Sequence, residues 1–439
     1  MTHATLLLYA VGGAVLSSFL ACIPALHIYN VAGLLLLLGA GSSKILSPEA
    51  TAMLFLGLVT GYAVVNTVSS IFFSAPDEST LFIVLPGQKY LLQRRGYQAI
   101  VLAGLGSLGG VAVLALLAPF APLILPPVRS ILQPHVPWIL TAIIAYMLMS
   151  EWPRSTGHAP TAWGRLARAW TSLAAGLITF LLSGLLGLIL MYRSLVPVTM
   201  AYQGLLPAFI GLFAMPWIVQ NLVANVEIPP QHVSASVDVT AGQILRGVAA
   251  GAMGGLFAAF FPVVTGGIGG FLAGHATAQR DDRLFIISQG ASKVVYYAGG
   301  ILLFFVPGLH LTRGGIAWML STVYSGHAPV TYLSAAAAIV LAGGISFFLL
   351  LGLSRGIIAL LDRLHYRTVS LATLAVLLAI VIGMTGPGGL LICVVATGIG
   401  LIPMLWGCRR MNCMGVLLLP ITLNMLGAGS SVVEWLGLL

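Results

Sequence analysis

The sequence predicts an all-α polytopic membrane protein, with about ten transmembrane helices plus two re-entrant or broken hairpins in two inverted repeats. Three observations lead there. Of the 439 residues, 59% are hydrophobic, and the mean hydropathy is +1.05. Charged residues make up only 7%, against roughly 25% in an ordinary soluble domain, too few to cover a water-exposed surface. Apolar segments of about 20 residues, the length that crosses hydrocarbon, recur from end to end.

The first hairpin is expected over about 5–40, interrupted at Pro24-Ala25-Leu26-His27-Ile28-Tyr29-Asn30. It reads as a retained span rather than a signal peptide, because the first basic side chain other than His3 is Lys44 and a positive n-region is missing. The faint lipoprotein-like string Phe19-Leu20-Ala21-Cys22 fails for the same reason. Spans follow at about 48–73, 98–118, 136–150, 167–192 and 196–224. A second hairpin covers about 243–274, interrupted at Pro262 and the cluster Gly266-Gly267-Ile268-Gly269-Gly270. Five more spans fall at about 284–306, 330–353, 368–385, 389–406 and 415–437.

The hairpins read as copies. Gly13 precedes Pro24 by eleven residues, and Gly251 precedes Pro262 by eleven; Pro24-x-x-His27 matches Pro262-x-x-Thr265. Late in each half, the stretch from Gly211 to Trp217 echoes that from Gly400 to Trp406. Residues 1–224 therefore form a first repeat and 225–439 a second, each a hairpin plus five crossings. An odd number of crossings turns the second copy upside down, the arrangement of many secondary transporters.

The net charge of +9, from 19 Lys+Arg and 10 Asp+Glu, is a topology signal rather than a nucleic-acid surface. On one side of the expected topology lie Lys89, Arg94, Arg95, Arg154, Arg165, Arg168, Arg246, Arg280, Arg283, Arg355, Arg363, Arg367, Arg409 and Arg410. Lys44, Arg129, Arg193 and Arg313 lie on the other. Fourteen cations against four make the first side cytoplasmic, and place both termini outside a prokaryotic plasma membrane. Cys22, Cys393, Cys408 and Cys413 have no zinc-type or disulfide-framework spacing and read as small apolar fillers.

The remaining polar residues are candidates for a site. At Pro24 the helix ends and leaves backbone groups unpaired at membrane depth, where only protein or a polar cavity satisfies them. His27 and Asn30 add side-chain donors to that tip. In the second tip Thr265, Gly266 and Gly267 let backbone N–H groups converge on an anion, although glycines at four-residue spacing also serve close helix packing. Asn66, Thr67, Ser69 and Ser70 cluster within five residues, for contact with a solute, an ion or a neighbouring helix. Ser292 and Lys293 lie about ten residues inside a span, where a charge costs at least a few kcal/mol unless it faces a cavity or partner. Lys293 would neutralise a bound carboxylate, hold the place of a coupling cation, or snorkel. Asp77 and Glu78 follow Pro76 at the end of a span; Ser74 or Asp77 reads as the cap of a short surface helix, with a proton-coupling carboxylate as the alternative. No catalytic constellation, cofactor motif or metal cluster is recognisable, so no enzyme, cofactor or metal is expected.

The string Phe72-Phe73-Ser74-Ala75-Pro76-Asp77-Glu78-Ser79-Thr80, with Val84-Leu85-Pro86-Gly87 and Arg95-Gly96-Tyr97-Gln98-Ala99, resembles the large permease of tripartite tricarboxylate transporters, most nearly its archaeal-type branch. The tip from Ile23 to Asn30, the segment Gly400-Leu401-Ile402-Pro403 and the run from Gly407 to Leu418 extend the likeness over most of the chain. Pro24-Ala25 and Pro262-Val263 stand where the family has Pro-Gly, and Lys293 where a neutral polar residue is expected. The resemblance implies a secondary carrier of carboxylates such as citrate, driven by a sodium or proton gradient, or by neither if Lys293 replaces the ion. It also implies a small membrane subunit and an extracytoplasmic solute-binding protein as partners. The lipid bilayer, a small organic anion and a second copy of the chain complete the expected partners; nucleic acid is not among them. A passive channel and a non-transporting scaffold or lipid-handling protein are the alternatives.

Overall fold

Helices follow directly from the apolar segments, since in lipid each backbone group must find its partner inside its own segment. The computed structural model describes residues 2–24, 26–41, 46–151, 161–193, 195–196, 204–224, 228–276, 281–325, 329–361, 363 and 366–438. Lys44, Arg154 and Arg280 of the charge count lie outside the described residues. Among the described residues no strand occurs. In chain order the helices are α1 (His3–Leu20), α2 (Ile28–Gly41), α3 (Pro48–Val65), α4 (Thr67–Phe72), α5 (Val84–Leu92), α6 (Gly96–Leu117), α7 (Ala121–Leu132), α8 (Val136–Met149), α9 (Ala162–Tyr192), α10 (Leu206–Phe209), α11 (Met215–Val223), α12 (Ala241–Phe260), α13 (Gly266–Ala276), α14 (Asp282–Phe305), α15 (Gly314–Ser321), α16 (Pro329–Leu361), α17 (Tyr366–Trp406), α18 (Gly415–Met425) and α19 (Gly429–Trp435).

Eight helical stretches are long and apolar enough to cross a membrane, and a bent pair ending at Trp435 makes nine. The expected count of about ten stands beside these eight to nine, two of which are longer than one crossing needs. Gly96–Met149 stays helical for 54 residues and Arg367–Trp406 for 40. At 1.5 Å per residue these reach about 80 and 60 Å, room for two passes each through about 30 Å of hydrocarbon. The second of them turns at Gly386, φ +66°, just before Pro387, between the spans expected at 368–385 and 389–406. α14 is too polar to count among the eight, because it carries Asp282, Arg283, Gln289 and Lys293, yet almost all of it is buried.

Both interrupted hairpins are present, as α1–α2 and α12–α13. One detail differs from expectation: the Gly266–Gly270 cluster is not part of the second break but forms the first turns of α13. Three helices lie outside the expected spans: the amphipathic α5, α7 and the short α15.

The chain divides into two compact units, Met1–Ser130 with Asn225–Val369, and Ile131–Ala224 with Ser370–Leu439. Each sequence half gives its first part to one unit and its last part to the other. In the first unit α1 packs on α3 and α16, α12 packs on α14 and α6, α3 meets α16 and α14 meets α6. Small residues let these backbones touch. A Cβ on Gly13 would stand 2.2 Å from the Leu54 carbonyl oxygen, and one on Gly251 2.1 Å from that of Ser288. In the second unit the two echoing segments face each other: Gly211 abuts the Cys393 carbonyl and Gly400 the Leu212 carbonyl, both at 2.5 Å from a built Cβ.

Charges gather at the polar end of α14. Lys89 on α5 pairs with Asp282, and Arg283 donates to Asp281 and Asp238. The hydrogen bond and charge of Asp282 raise the Lys89 ammonium above its ordinary value. Burial raises Asp281, but the backbone and side-chain N–H groups of Arg283 outweigh it and leave that carboxyl below the usual range.

Candidate functional site

The site lies in the first unit and is organised by the connection between α4 and α5. Ser74 has φ +50°, an uncommon conformation for a residue with a Cβ, and turns the chain back under α3. Asp77 then folds over its own successors. Its Oδ1 accepts from the N–H of Ser79 (2.9 Å) and Thr80 (2.9 Å) and from both hydroxyls (2.7 and 2.9 Å). Its Oδ2 accepts from Tyr62 Oη (3.0 Å), Asn66 Nδ2 (2.8 Å) and Tyr297 Oη (3.1 Å). A carboxylate with this many donors needs no bulk water.

Glu78 is 6% exposed and is held by both hairpin tips. From the first tip His27 Nε2 lies 3.3 Å from Oε1 and 3.2 Å from Oε2. From the second tip Thr265 Oγ1 donates to the Glu78 carbonyl (3.4 Å), and a Cβ on Gly267 would stand 2.5 Å from the same oxygen. Tyr297 Oη lies 2.9 Å from Oε1 as well, so its single proton is shared between Glu78 and Asp77. His27 Nδ1 accepts the backbone N–H of Tyr29 (3.1 Å), so the proton of the ring sits on Nε2 and points at Glu78. The ring packs among Tyr29, Tyr62 and Tyr297, with centroids 4.4, 5.4 and 6.2 Å away.

Lys293 enters from α14 and is 1% exposed. Its ammonium donates to Asn66 Oδ1 (2.6 Å), to the Thr67 hydroxyl and to the Val64 carbonyl (3.4 Å). The three acceptors flank the one-residue interruption between α3 and α4: Val64 in the last turn of α3, Asn66 at the interruption and Thr67 at the start of α4. Asn66 thus bridges Lys293, on its oxygen, to Asp77, on its nitrogen. His27, Asp77 and Glu78 also bring their polar atoms within 4.8 Å of one another, but with its proton on Nε2 and its Nδ1 taken by Tyr29 the imidazole has no lone pair to offer a metal.

A second cation, Arg313, was only a loop charge in the sequence. At the start of α15 it donates to the carbonyls of Ala258 (2.8 Å) and Val264 (2.8 Å), flanking the second break. Its Nε is buried without a hydrogen-bond partner, as are Asn30 Nδ2 and both polar atoms of the Gln289 amide. Arg313 lines a small cavity with Tyr29, Val59, Tyr296 and Tyr297. Buried donors without partners are costly, and the cavity at Arg313, about 10 Å³, is just large enough for one water.

Of the residues singled out in the sequence, His27, Asn66, Thr67, Thr265, Gly267 and Lys293 gather around Asp77 and Glu78. Gly266 contributes its carbonyl to the Ser292 hydroxyl (2.9 Å), tying the second tip to α14. Ser69 is turned onto the Asn66 carbonyl (3.0 Å). Asn30 is buried in α2. Asp77 does take the N–H groups of Ser79 and Thr80, but they belong to a turn and not to a helix, since α5 starts at Val84 without a side-chain cap; Asp77 is half-buried and Glu78 buried. Tyr62, Tyr297 and Arg313 carried no local signal. Their aromatic and loop positions are ordinary until the tips are brought together.

A buried charged network at the meeting of interrupted membrane helices defines an integral membrane protein with a polar site at its helix breaks. Residues 7–415 match the tripartite tricarboxylate transporter TctA family, and the chain belongs to that family. It is a membrane transport protein of that kind. Over 370 residues it is 26% identical to a protein of Methanocaldococcus jannaschii described as uncharacterized, covering 83% of this chain and 84% of the relative. No solved structure matches the chain.

Proposed function

We propose that the protein is a secondary transporter of a small organic anion, a di- or tricarboxylate, working by alternating access between the two hairpin tips. The observation that carries this is Glu78: one buried residue is held by His27 of the first tip and Thr265 of the second. Movement of either tip must break or remake that junction. Two carboxylates repel an anion, so Asp77 and Glu78 serve the moving junction and its charge balance. Anion recognition falls to Arg313, with an unused Nε donor beside Tyr29 and Tyr296, and to the donor of Asn30. The pairing of α1, α3 and α16 against α12, α14 and α6 supports the two inverted repeats, because exchanging the halves maps the contacts onto one another.

The protein would sit in the cell membrane with both termini outside, moving its substrate inward. The family supports a small membrane subunit and an extracytoplasmic solute-binding protein as partners. Reconstitution tests the reading. Liposomes loaded with unlabelled citrate, succinate or related acids should accumulate the labelled acid by counterflow, with saturation. Absence of counterflow for every di- and tricarboxylate tried would sink it, and flux without saturation would favour a channel.

A further inference from the structure

We propose that the Lys293 ammonium is a tethered resident cation, filling an oxygen cage that would otherwise take a small alkali cation, so that sodium has no role at this place in the cycle. The cage is built from one stretch, 64–67, and uses three kinds of oxygen: the Val64 carbonyl, the Asn66 amide and the Thr67 hydroxyl. All are neutral acceptors and none carries a hydrogen that must point inward. An ammonium with three donors satisfies them, and a hard alkali cation makes the same demand for oxygen. The orientation of Asn66 is fixed, because its nitrogen is spent on Asp77 and its oxygen must then face the cation. Asp77 supplies the balancing negative charge one link away. Interrupted helices at membrane depth are where carriers bind coupling cations with freed carbonyls.

The cation arrives from elsewhere. Lys293 reaches in from α14, 226 residues from Thr67 in sequence, and no cage oxygen belongs to its own helix. At 1% exposure it is not a lysine snorkelling to a phosphate surface. Shortening it therefore leaves the cage standing, with space, oxygen ligands and the nearby carboxylates of Asp77 and Glu78, but without its positive charge. His27 does not replace that charge, because its Nδ1 accepts the Tyr29 N–H.

The test compares wild type, Lys293→Ala and Lys293→Met by thermal unfolding in sodium, potassium or choline chloride at one ionic strength. Wild type should unfold at the same temperature in all three salts. The Lys293→Ala midpoint should climb with the logarithm of sodium or potassium concentration and not with choline, as mass action on a folded-state site requires. Lys293→Met, which fills the space with methylenes, should not respond. A sodium-stabilised wild type, or a Lys293→Ala protein indifferent to both alkali ions, overturns the proposal. If Lys293→Ala does not fold in any salt, wild-type counterflow decides: an unchanged rate on replacing sodium by choline supports the tethered cation, and a loss of about tenfold or more refutes it. The uptake arm rests on the transporter reading. The unfolding arm does not, so even a protein that moves no carboxylate would reveal whether the cage takes an alkali ion.

Discussion

Replacing Asp77 by asparagine removes the charge from a half-buried side chain whose oxygens face seven donors, the Tyr297 hydroxyl shared with Glu78. An amide can accept on one side only. If its NH2 takes the Oδ1 position, it meets the N–H groups of Ser79 and Thr80, which cannot reverse. If it takes the Oδ2 position, it meets Asn66 Nδ2, and flipping Asn66 would turn that NH2 onto the Lys293 ammonium. Two charge-assisted bonds are lost either way, and hydrogen bonds to charged groups are worth about 1.5–3 kcal/mol each. Lys293 also loses its balancing charge, and breaking a buried pair costs about 3–5 kcal/mol. Because these terms overlap, Asp77→Asn should lower unfolding free energy by about 3–5 kcal/mol in all. Much of that cost arises through Lys293, so Asp77→Asn should hurt less in a Lys293→Met background. Denaturant titration in detergent of the four proteins of this cycle should give a coupling of about 1–3 kcal/mol. Costs that add to within about 0.5 kcal/mol would refute the Asn66 bridge, and a wild-type-like Asp77→Asn would refute the whole network.

Arg313→Gln should raise the apparent KM for the transported carboxylate by about 10- to 100-fold, the worth of one charge-assisted hydrogen bond, with Arg313→Lys recovering part of it; counterflow at graded substrate concentrations measures this. Val263 has φ +55° in the second tip, a strained conformation for a β-branched residue. Any Cβ there costs about 1–2 kcal/mol, so Val263→Gly should be about 1 kcal/mol more stable than Val263→Ala, the reverse of the usual order. A Cβ on Gly290 would stand 2.1 Å from the Ala103 carbonyl oxygen, whereas Gly344 has nothing within 4 Å. Gly290→Ala should cost about 3 kcal/mol or more, and Gly344→Ala should gain up to about 1 kcal/mol, as read from thermal midpoints.

The hairpins were legible because proline and glycine act locally: Pro24 and Pro262 end helices wherever they occur, and Gly386-Pro387 turns the chain between two spans. Lys293 and Asn66 were legible one at a time, since a charge or an amide in a membrane segment is conspicuous on its own. That they bond to each other was not, because 227 residues separate them. Asp77 failed differently. Ser79 and Thr80 close a local turn on it rather than the helix cap that the string suggested, and Tyr62 and Tyr297 reach it from 15 and 220 residues away. Arg313 precedes a helix of only eight residues, too short to show a period. Its partners are two carbonyls that exist as free acceptors only once the second hairpin has broken.

The backbone bond from Tyr29 to His27 Nδ1 has a consequence for the first tip. That nitrogen has a single lone pair, and the start of α2 is using it. A second proton on the imidazole can be taken only by giving up the Tyr29 N–H, which then has to find another acceptor in a half-buried tip. Charging His27 and keeping the first tip wound are therefore exclusive states. The residue that joins this tip to Glu78 also records, in the position of one hydrogen, whether the tip is closed.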